Sequence, residues 1–385
     1  MKKKRIALIT NGSIGVGFMS EGVPHHVQFI DKIAQIYDLT VYSCVKINEG
    51  FLPTNYQIID VPFQNNQSLT LRVLILIFRL LKNHILNSYD IFHGFWGFPS
   101  GFLAVLMGKF FQLPSIVSFL GGEVVYLPEI NYGEFHKTWF QKIIYFTAKN
   151  AGAIIALSDY QISKIKLSGV QIKRMERIPF GIDLSLFKFV EKPLKTPFQL
   201  LHVADINLVK DQETLLRTLQ KISLQVDSHL TMVGRDTLNG KIQRLAEKLG
   251  LSEKITFLGG VSYQNLPETF AKAHVFLLTS LSEAQAVVVN EAMASGLVVV
   301  GTRVGLIADL ENDCTLAVDI KDVDDLAEKV IDLFKNPQKY AELQANGLAW
   351  TRKYDLDWTV GKYQELYEDL FTAKKQSKKG TIEVG

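Results

Sequence analysis

The chain has 385 residues, which is long for a single domain and fits two domains of ordinary size. A hydrophobic content of 47% and a charged content of 21% exclude an intrinsically disordered chain, and no apolar run reaches the ~18 residues that a membrane-spanning helix needs. The net charge of +3 is unevenly distributed, because residues 1–185 hold 18 Lys and Arg against 12 Asp and Glu. This excess favours the amino half as the part that approaches an anionic surface. The alternative is that the excess only forms an ordinary solvated face.

The first 43 residues have the pattern of a strand–helix–strand opening. Residues 5–10 predict a strand, residues 25–36 a helix and residues 39–43 a second strand. The loop between the first strand and the helix is rich in glycine and contains Gly17 and Gly22. It has no clean G-x-G-x-x-G followed by an acidic residue after the next strand, so a dinucleotide site is only weakly indicated.

Residues 68–82 predict an apolar helix that carries three cations, Arg72, Arg79 and Lys82. Their spacing places all three near one helical face. Two interpretations stay open. The helix either packs on the sheet with a narrow basic stripe outward, or it rests on a membrane surface.

Three more strands are predicted in the amino half, at residues 89–93, 115–119 and 153–158. His93 ends the first of them, Trp96 lies in the turn that follows, and Glu123 follows Gly121 and Gly122 after the second. A lone histidine is more often structural than catalytic, and we favour the structural interpretation for His93.

A proline-containing linker is predicted at residues 187–197, before a second series of strands at residues 200–204 and 230–234. Lys210 lies between the first of these strands and the next helix. A lysine at such a junction is well placed to act as a point charge on a phosphate.

Residues 274–302 predict a strand, a loop, a helix and another strand, with the helix at residues 287–295. The loop, residues 280–286, therefore follows the carboxyl end of a strand and precedes a helix N-terminus, an arrangement that suits a bound phosphate. Glu283 lies in this loop, and Glu291 follows one turn into the helix. Either carboxylate alone is explained equally well as a partner of the helix dipole.

The segment from Glu283 to Gly296, E-AQAVVVN-E-AMASG, resembles the E-x7-E motif of the retaining glycosyltransferases of family 4, which have the GT-B fold. Residues 177–183, RIPFGID, resemble the I-P-x-G-x-D signature of the same family. The resemblance implies an α/β fold of two Rossmann-like domains facing each other across a cleft. It predicts an acceptor-binding domain at residues 1–186, a nucleotide-sugar-binding domain at residues 198–355 and a C-terminal helix at residues 356–373 that crosses back to the first domain.

The resemblance also implies roles for individual residues. Glu283 is expected to contact the donor sugar, Glu291 the ribose and Lys210 the diphosphate. The further donor-side candidates are Ala286, Val287, Val288, Gly259, Arg303 and Asp205. The acceptor-side candidates are Gly17, Gly22, His93, Trp96 and Glu123.

The chain departs from the family pattern at two places. Asp205 stands where the family usually has an arginine, so either this carboxylate turns away and caps its loop, or activity is reduced, or Arg235 or Arg303 substitutes for the missing cation. Ala284, Gln285 and Ala286 stand where the family often has glycines.

The resemblance implies a retaining transferase that moves a sugar from a nucleotide diphosphate sugar to a glycan, lipid-linked or small-molecule acceptor. No cofactor and no metal are expected, because the one D-x-D, at Asp322 and Asp324, precedes a helix that needs an N-terminal cap. The two cysteines, Cys44 and Cys314, fit a reducing cytoplasm, with peripheral contact to the inner face of the membrane as an option and no nucleic-acid partner. An epimerase or hydrolase of the same fold and a non-catalytic nucleotide-sugar-binding subunit remain as alternatives.

Overall fold

The structure is a computed structural model that describes residues 3–17, 22–62 and 68–382, with side chains as far as residue 373. The chain forms two compact units. The first combines Met1–Pro179 with Asp357–Gly385, and the second is Phe180–Leu356.

The first unit is built on a parallel sheet with helices between its strands. The strands are β1 (Arg5–Thr10), β2 (Asp38–Ser43), β3 (Gln57–Ile59), β4 (Ile91–Phe95), β5 (Ser115–Ser118), β6 (Ala153–Ala156) and β7 (Met175–Arg177). They lie in the order β3-β2-β1-β4-β5-β6-β7. The helices are α1 (Pro24–Ile36), α2 (Leu69–Leu86), α3 (Phe102–Phe111), α4 (Thr138–Asn150) and α5 (Asp159–Leu167). Residues 6–9 of β1 are fully buried, as expected for a central strand that helices cover on both faces.

The second unit repeats this plan with a second parallel sheet. Its strands are β8 (Phe198–Val203), β9 (Ser228–Val233), β10 (Ile255–Gly259), β11 (Val275–Leu278), β12 (Val298–Thr302) and β13 (Thr315–Val318), in the order β10-β9-β8-β11-β12-β13. Its helices are α6 (Gln212–Ser223), α7 (Lys241–Lys248), α8 (Leu266–Phe270), α9 (Val288–Ala294), α10 (Gly305–Asp309), α11 (Val323–Lys335) and α12 (Pro337–Lys353).

The last helix, α13 (Leu356–Ile382), supplies aromatic side chains to the core of the first unit. Tyr363 and Tyr367 are fully buried, and the Tyr363 ring lies 4.5 Å from that of Phe29 on α1. The Tyr37 hydroxyl donates a hydrogen bond to Glu368 at 2.9 Å. These contacts attach the end of the chain to the first unit, and the helix continues nine residues beyond the boundary at residue 373 that the sequence suggested.

The prediction of a basic stripe on the outer face of α2 is wrong. Arg72 and Arg79 are half-buried and donate to the backbone carbonyls of Cys44 and Asp60, so only Lys82 of the three cations is exposed. The outer face of α2 is apolar instead. We define this face by its exposed side chains, which are Leu71, Leu74, Phe78, Ile85 and Leu86.

Candidate functional site

The candidate site of the second unit lies where the strand order of its sheet reverses, between β8 and β11. In open α/β sheets, ligands bind outside the carboxyl ends of the strands at this position, because the two flanking loops turn away from each other. Residues 204–211 follow β8 and carry Lys210, while residues 279–287 follow β11 and carry Glu283. The topology therefore brings these two predicted residues to one place.

Lys210 and Glu283 form an ion pair in which the Lys210 ammonium donates to Glu283 Oε1. The same carboxylate oxygen accepts a hydrogen bond from Ser280 Oγ at 2.7 Å. The side chains are 23% and 13% exposed, so the pair is partly shielded from water and still accessible. A ligand can reach both groups from the solvent side of the loops.

The two loops are joined through their backbones, which fixes the position of Lys210. Thr279 Oγ1 donates to the Lys210 carbonyl at 2.8 Å, and the Leu281 amide donates to the Val209 carbonyl at 2.8 Å. Asn207 Oδ1 accepts from the Lys210 amide at 3.2 Å and caps the start of the short turn that contains Lys210. These hydrogen bonds therefore fix the backbone position from which the Lys210 side chain extends.

Ala286 marks the start of the next helix with an unusual backbone conformation. Its φ of 64° lies in the left-handed region, which is strained for a residue with a Cβ atom. The Ala286 carbonyl accepts the first hydrogen bond of the turn, from the Val289 amide at 2.9 Å. The amides of Val287 and Val288 precede this bond, as expected at a helix N-terminus.

Two buried amide side chains hold this loop to the beginning of the second unit, a feature that the sequence did not predict. Gln285 accepts from the Phe180 amide at 2.9 Å and donates to the Phe180 carbonyl at 2.7 Å. Asn290 donates to the same carbonyl at 3.1 Å. Phe180 lies in the segment at residues 177–183, so these bonds join that segment to the segment between Glu283 and Glu291.

Glu291 is 6% exposed and lies in the first turn of α9, a helix whose residues 289–294 are all buried. Burial raises the pKa of its carboxyl to about 7, although a hydrogen bond from Tyr263 lowers it. Tyr263 lies in the turn that follows β10, whose last residue is Gly259. The Gly259 carbonyl accepts from the Gly234 amide at 2.8 Å, which ties the β10 and β9 loops together.

Asp205 and Arg303, two of the donor-side candidates, both form ion pairs with other side chains of the second unit. Asp205 accepts from the Arg235 side chain at 3.2 Å and 2.5 Å. Burial raises the pKa of the Asp205 carboxyl, but the hydrogen bonds and charge of Arg235 more than offset this and lower it overall. Arg303 donates to Glu311 at 2.8 Å and 2.7 Å and also to Asp319.

His93, an acceptor-side candidate, lies in the core of the first unit. It is fully buried, with Nδ1 2.7 Å from the Tyr367 hydroxyl and Nε2 2.9 Å from Ser118 Oγ. Burial lowers the pKa of this histidine to about 3. Both ring nitrogens have protein partners, which agrees with the structural interpretation of His93.

Glu123, a second acceptor-side candidate, organises the loops after β4 and β5. It is 4% exposed and accepts from the amides of Leu120 at 2.9 Å, Gly121 at 2.8 Å and Gly97 at 3.3 Å. Burial raises the pKa of its carboxyl to about 7 despite these bonds. Its oxygens thus hold backbone amides rather than facing solvent.

The other acceptor-side candidates surround the glycine-rich loop and the turn after β4. Trp96 has a φ of 66°, and its ring lies 5.5 Å from that of the buried His26. Gly22 has a φ of 74°, and a Cβ atom there would lie 2.4 Å from the Ser13 carbonyl oxygen, so only glycine fits. Gly17 also has a positive φ, of 81°. The acceptor-side role of these residues stays a prediction.

The D-x-D residues act as the sequence indicated. Asp322 caps α11 by accepting from the Asp325 amide at 2.9 Å, and Asp324 pairs with Lys221. Within residues 3–17, 22–62 and 68–373, no group of three or more His, Cys, Asp or Glu side chains is placed to hold a metal ion. The expected helix cap is confirmed.

Residues 185–350 match the family model described as "Glycosyl transferases group 1". This part of the chain is similar to the group 1 glycosyltransferases. A curated relative, the MMP alpha-(1->4)-mannosyltransferase of Mycolicibacterium hassiacum, is 28% identical over 204 residues, which are 52% of this chain and 47% of the relative. The chain spans about half the length of the first curated relatives that it matches.

Two solved structures resemble the chain over nearly all its length. Sucrose-phosphate synthase from Thermosynechococcus elongatus has a TM-score of 0.81 and 18% identity, with coverage of 96% of this chain and 100% of that chain. Anabaena HepE, solved with UDP and glucose, has a TM-score of 0.75 and 16% identity, with coverage of 95% and 100%. The predicted α/β fold of two Rossmann-like domains, in the GT-B class, is confirmed.

Proposed function

We propose that the chain is a group 1 glycosyltransferase that transfers a sugar from a nucleotide diphosphate sugar to an acceptor hydroxyl, with retention of the anomeric configuration and without a metal. The observation that carries the proposal is the Lys210–Glu283 pair at the strand-order reversal, in the loop that precedes α9, whose first turn carries the buried Glu291. A nucleotide diphosphate sugar carries its diphosphate between the sugar and the ribose, and we assign Lys210 to the diphosphate, Glu283 to the sugar and Glu291 to the ribose.

In this mechanism the bond between the anomeric carbon and the diphosphate oxygen breaks, and the acceptor oxygen bonds to the same face of that carbon. The acceptor proton passes to the departing phosphate oxygen. Lys210 and the amides of Val287 and Val288 stabilise the growing negative charge, which makes their contribution larger in the transition state than in the ground state. Glu283 positions the sugar and Glu291 the ribose.

A thermal-shift panel tests donor binding. The panel contains UDP, GDP and ADP with their glucose and mannose esters, and a true donor raises the unfolding temperature because it binds only the native state. Release of free sugar without an acceptor would favour a hydrolase, and a changed sugar configuration would favour an epimerase. Binding without turnover against any acceptor would favour a non-catalytic subunit.

We also propose that the first unit contacts a lipid surface through the outer face of α2, at the cytoplasmic side of a membrane. Within the described residues, no helix is long and apolar enough to cross a bilayer. The outer face exposes Phe78 at 66%, Ile85 at 75% and Leu74 at 58%, and α2 contains no acidic residue. An apolar helical face with Lys82 beside it suits the interface of an anionic bilayer.

Sedimentation with phosphatidylcholine vesicles, with and without phosphatidylglycerol, tests this contact. The double variant Leu74→Gln, Phe78→Gln should lower vesicle binding at least tenfold, because each buried methylene contributes about 0.8 kcal/mol. Lys82→Ala should lower it by about 1 kcal/mol on anionic vesicles only. Leu224→Gln, at an 83% exposed leucine of the second unit, is the matched control. Equal sedimentation of the double variant and the control would refute the contact.

A further inference from the structure

Asp205 and Arg235 occupy equivalent places at the carboxyl ends of neighbouring strands. Each lies two residues beyond its strand, Asp205 after β8 and Arg235 after β9. The Asp205 carboxylate accepts from the Arg235 amide at 2.9 Å as well as from Nε and Nη2 of its guanidinium. The arginine is thus held at its backbone and along one edge of its side chain.

The backbone beneath this pair is closely packed. The Ile206 amide donates to the Arg235 carbonyl at 2.8 Å, and the Thr237 hydroxyl donates to the Ile206 carbonyl at 2.7 Å. A Cβ atom at Gly234 would lie 1.9 Å from the Ala204 carbonyl oxygen, so the two loops approach this closely only because residue 234 is glycine. Hydrogen bonds and close packing between the two loops therefore fix the backbone that carries Asp205 and Arg235.

The guanidinium of Arg235 keeps donors for a ligand. An arginine side chain has five N–H groups, and Asp205 takes one on Nε and one on Nη2. Across the described ranges no protein atom pairs with Nη1, and the side chain is 50% exposed. An arginine that a carboxylate holds along one edge offers its other edge to a planar or tetrahedral anion.

Arg303, the other cation near the strand ends, is differently placed. Its Nε and Nη2 donate to Glu311 and its Nη1 to Asp319, so each of its three nitrogens already has a carboxylate partner. Two carboxylates therefore already compensate the charge of this guanidinium, and a phosphate would compete with both. Arg235 has one carboxylate partner and belongs to the loop next to the one that carries Lys210.

We propose that Arg235 binds the diphosphate of the donor through the outer edge of its guanidinium, and that Asp205 is the residue that positions it. This inference rests on the function proposed above. Lys210 and Arg235 then approach the two phosphates from adjacent loops. Asp205 lies behind the cation, where its carboxylate orients the guanidinium and its charge is compensated.

The test compares nucleoside diphosphate with nucleoside monophosphate affinity by calorimetry, with UDP against UMP and GDP against GMP. Arg235→Ala should lower diphosphate affinity roughly tenfold or more, as expected for a lost hydrogen bond to a charged group, and should change monophosphate affinity less. Arg217→Ala is the matched control, because Arg217 is another half-exposed arginine of the second unit paired with one carboxylate, Glu213. It should leave both affinities unchanged.

The sign of the change in diphosphate affinity of Asp205→Ala shows whether Asp205 positions Arg235 or only repels the phosphates. A carboxylate that only repels phosphate would raise diphosphate affinity when removed, whereas a positioning residue lowers it. We expect a decrease of several-fold, and a smaller decrease for Asp205→Asn, which keeps an acceptor for the Arg235 amide and guards against a folding defect. An increase or no change in either variant would overturn the role of Asp205.

The controls distinguish failure of this inference from failure of the proposed function. If the wild-type protein binds no nucleoside diphosphate, the proposed function fails. If it binds one and Arg235→Ala binds it equally well while Lys210→Ala does not, only the assignment of Arg235 is overturned.

Discussion

The exchange Glu291→Gln removes the charge at the predicted ribose position and keeps the shape of the side chain. Burial raises the pKa of Glu291 to about 7. A carboxylate accepts hydrogen bonds at both oxygens, whereas the protonated acid and the amide each accept well at one. If Glu291 binds both ribose hydroxyls, the ionised form is the binding form, and its fraction rises from about one-tenth at pH 6 to about nine-tenths at pH 8.

We therefore expect wild-type affinity for a nucleoside diphosphate sugar to rise roughly tenfold between pH 6 and pH 8. The Gln variant should bind at least tenfold more weakly at pH 8 and show a flat profile, because a charge-assisted hydrogen bond is worth about 1.5–3 kcal/mol. Calorimetry at fixed ionic strength measures both. A sugar ester is the suitable ligand because its phosphates do not titrate in this range. An equal rise in the variant would refute the assignment.

The same pKa shift makes a prediction about the free protein. The carboxyl has an ordinary pKa of 4.5 and a native pKa of about 7, so the native state binds more protons between these values. The free energy of unfolding must then fall as pH rises through this window. The difference in pKa corresponds to about 3 kcal/mol. Urea unfolding should show equal stability of wild type and Glu291→Gln near pH 4 and a more stable variant at pH 8. Equal pH slopes would show that Glu291 keeps an ordinary pKa.

Two further predictions concern the chemistry. Lys210→Ala should lower turnover more than donor affinity, because the charge that Lys210 stabilises grows in the transition state; a change in KM alone would make it only a binding residue. Turnover should persist after exhaustive EDTA treatment, and the double variant Asp322→Asn, Asp324→Asn should keep nearly the wild-type rate, because these carboxylates cap α11 and pair with Lys221. Loss of activity on chelation, restored by magnesium or manganese, would contradict a metal-free mechanism.

The sequence predicted the central strands, and the loops that carry Lys210 and Glu283 after two of them, because these follow from local signals. A buried strand is a continuous apolar run, and the loop after it must lie at the carboxyl edge of the sheet. The edge strands β3 and β7 were not predicted. Each has three residues, none of them fully buried, and so lacks an apolar run to identify it.

Side-chain partners distant in sequence could not be predicted in the same way. Arg235 and Arg303 both follow strand ends, and nothing nearby in sequence shows that one meets a single aspartate while the other meets two acids. The helical spacing of Arg72 and Arg79 placed them correctly on one face. It did not reveal that the carbonyls of Cys44 and Asp60 lie within their reach, which turns that face inward.

The ion pair between Lys210 and Glu283 should weaken the binding of a diphosphate to Lys210. Each group is the other's partner here, whereas the proposed mechanism needs Lys210 on phosphate and Glu283 on sugar hydroxyls. The diphosphate therefore competes with Glu283 for the lysine. Because the pair is partly shielded from water, we expect its removal to improve the free energy of diphosphate binding by about 0.5–1.5 kcal/mol. This corresponds to roughly two- to tenfold in affinity.

Glu283→Gln should accordingly act with opposite sign on two measurements. Affinity for a nucleoside diphosphate without sugar should increase, because Lys210 no longer has a competing anion. Turnover of the sugar ester should fall, because the amide positions the sugar hydroxyls less well than the carboxylate. Calorimetry with UDP or GDP and a product assay on the same preparation measure the two effects. If both quantities fall together, Glu283 supports the phosphate site directly and the competition between the two partners of Lys210 does not exist.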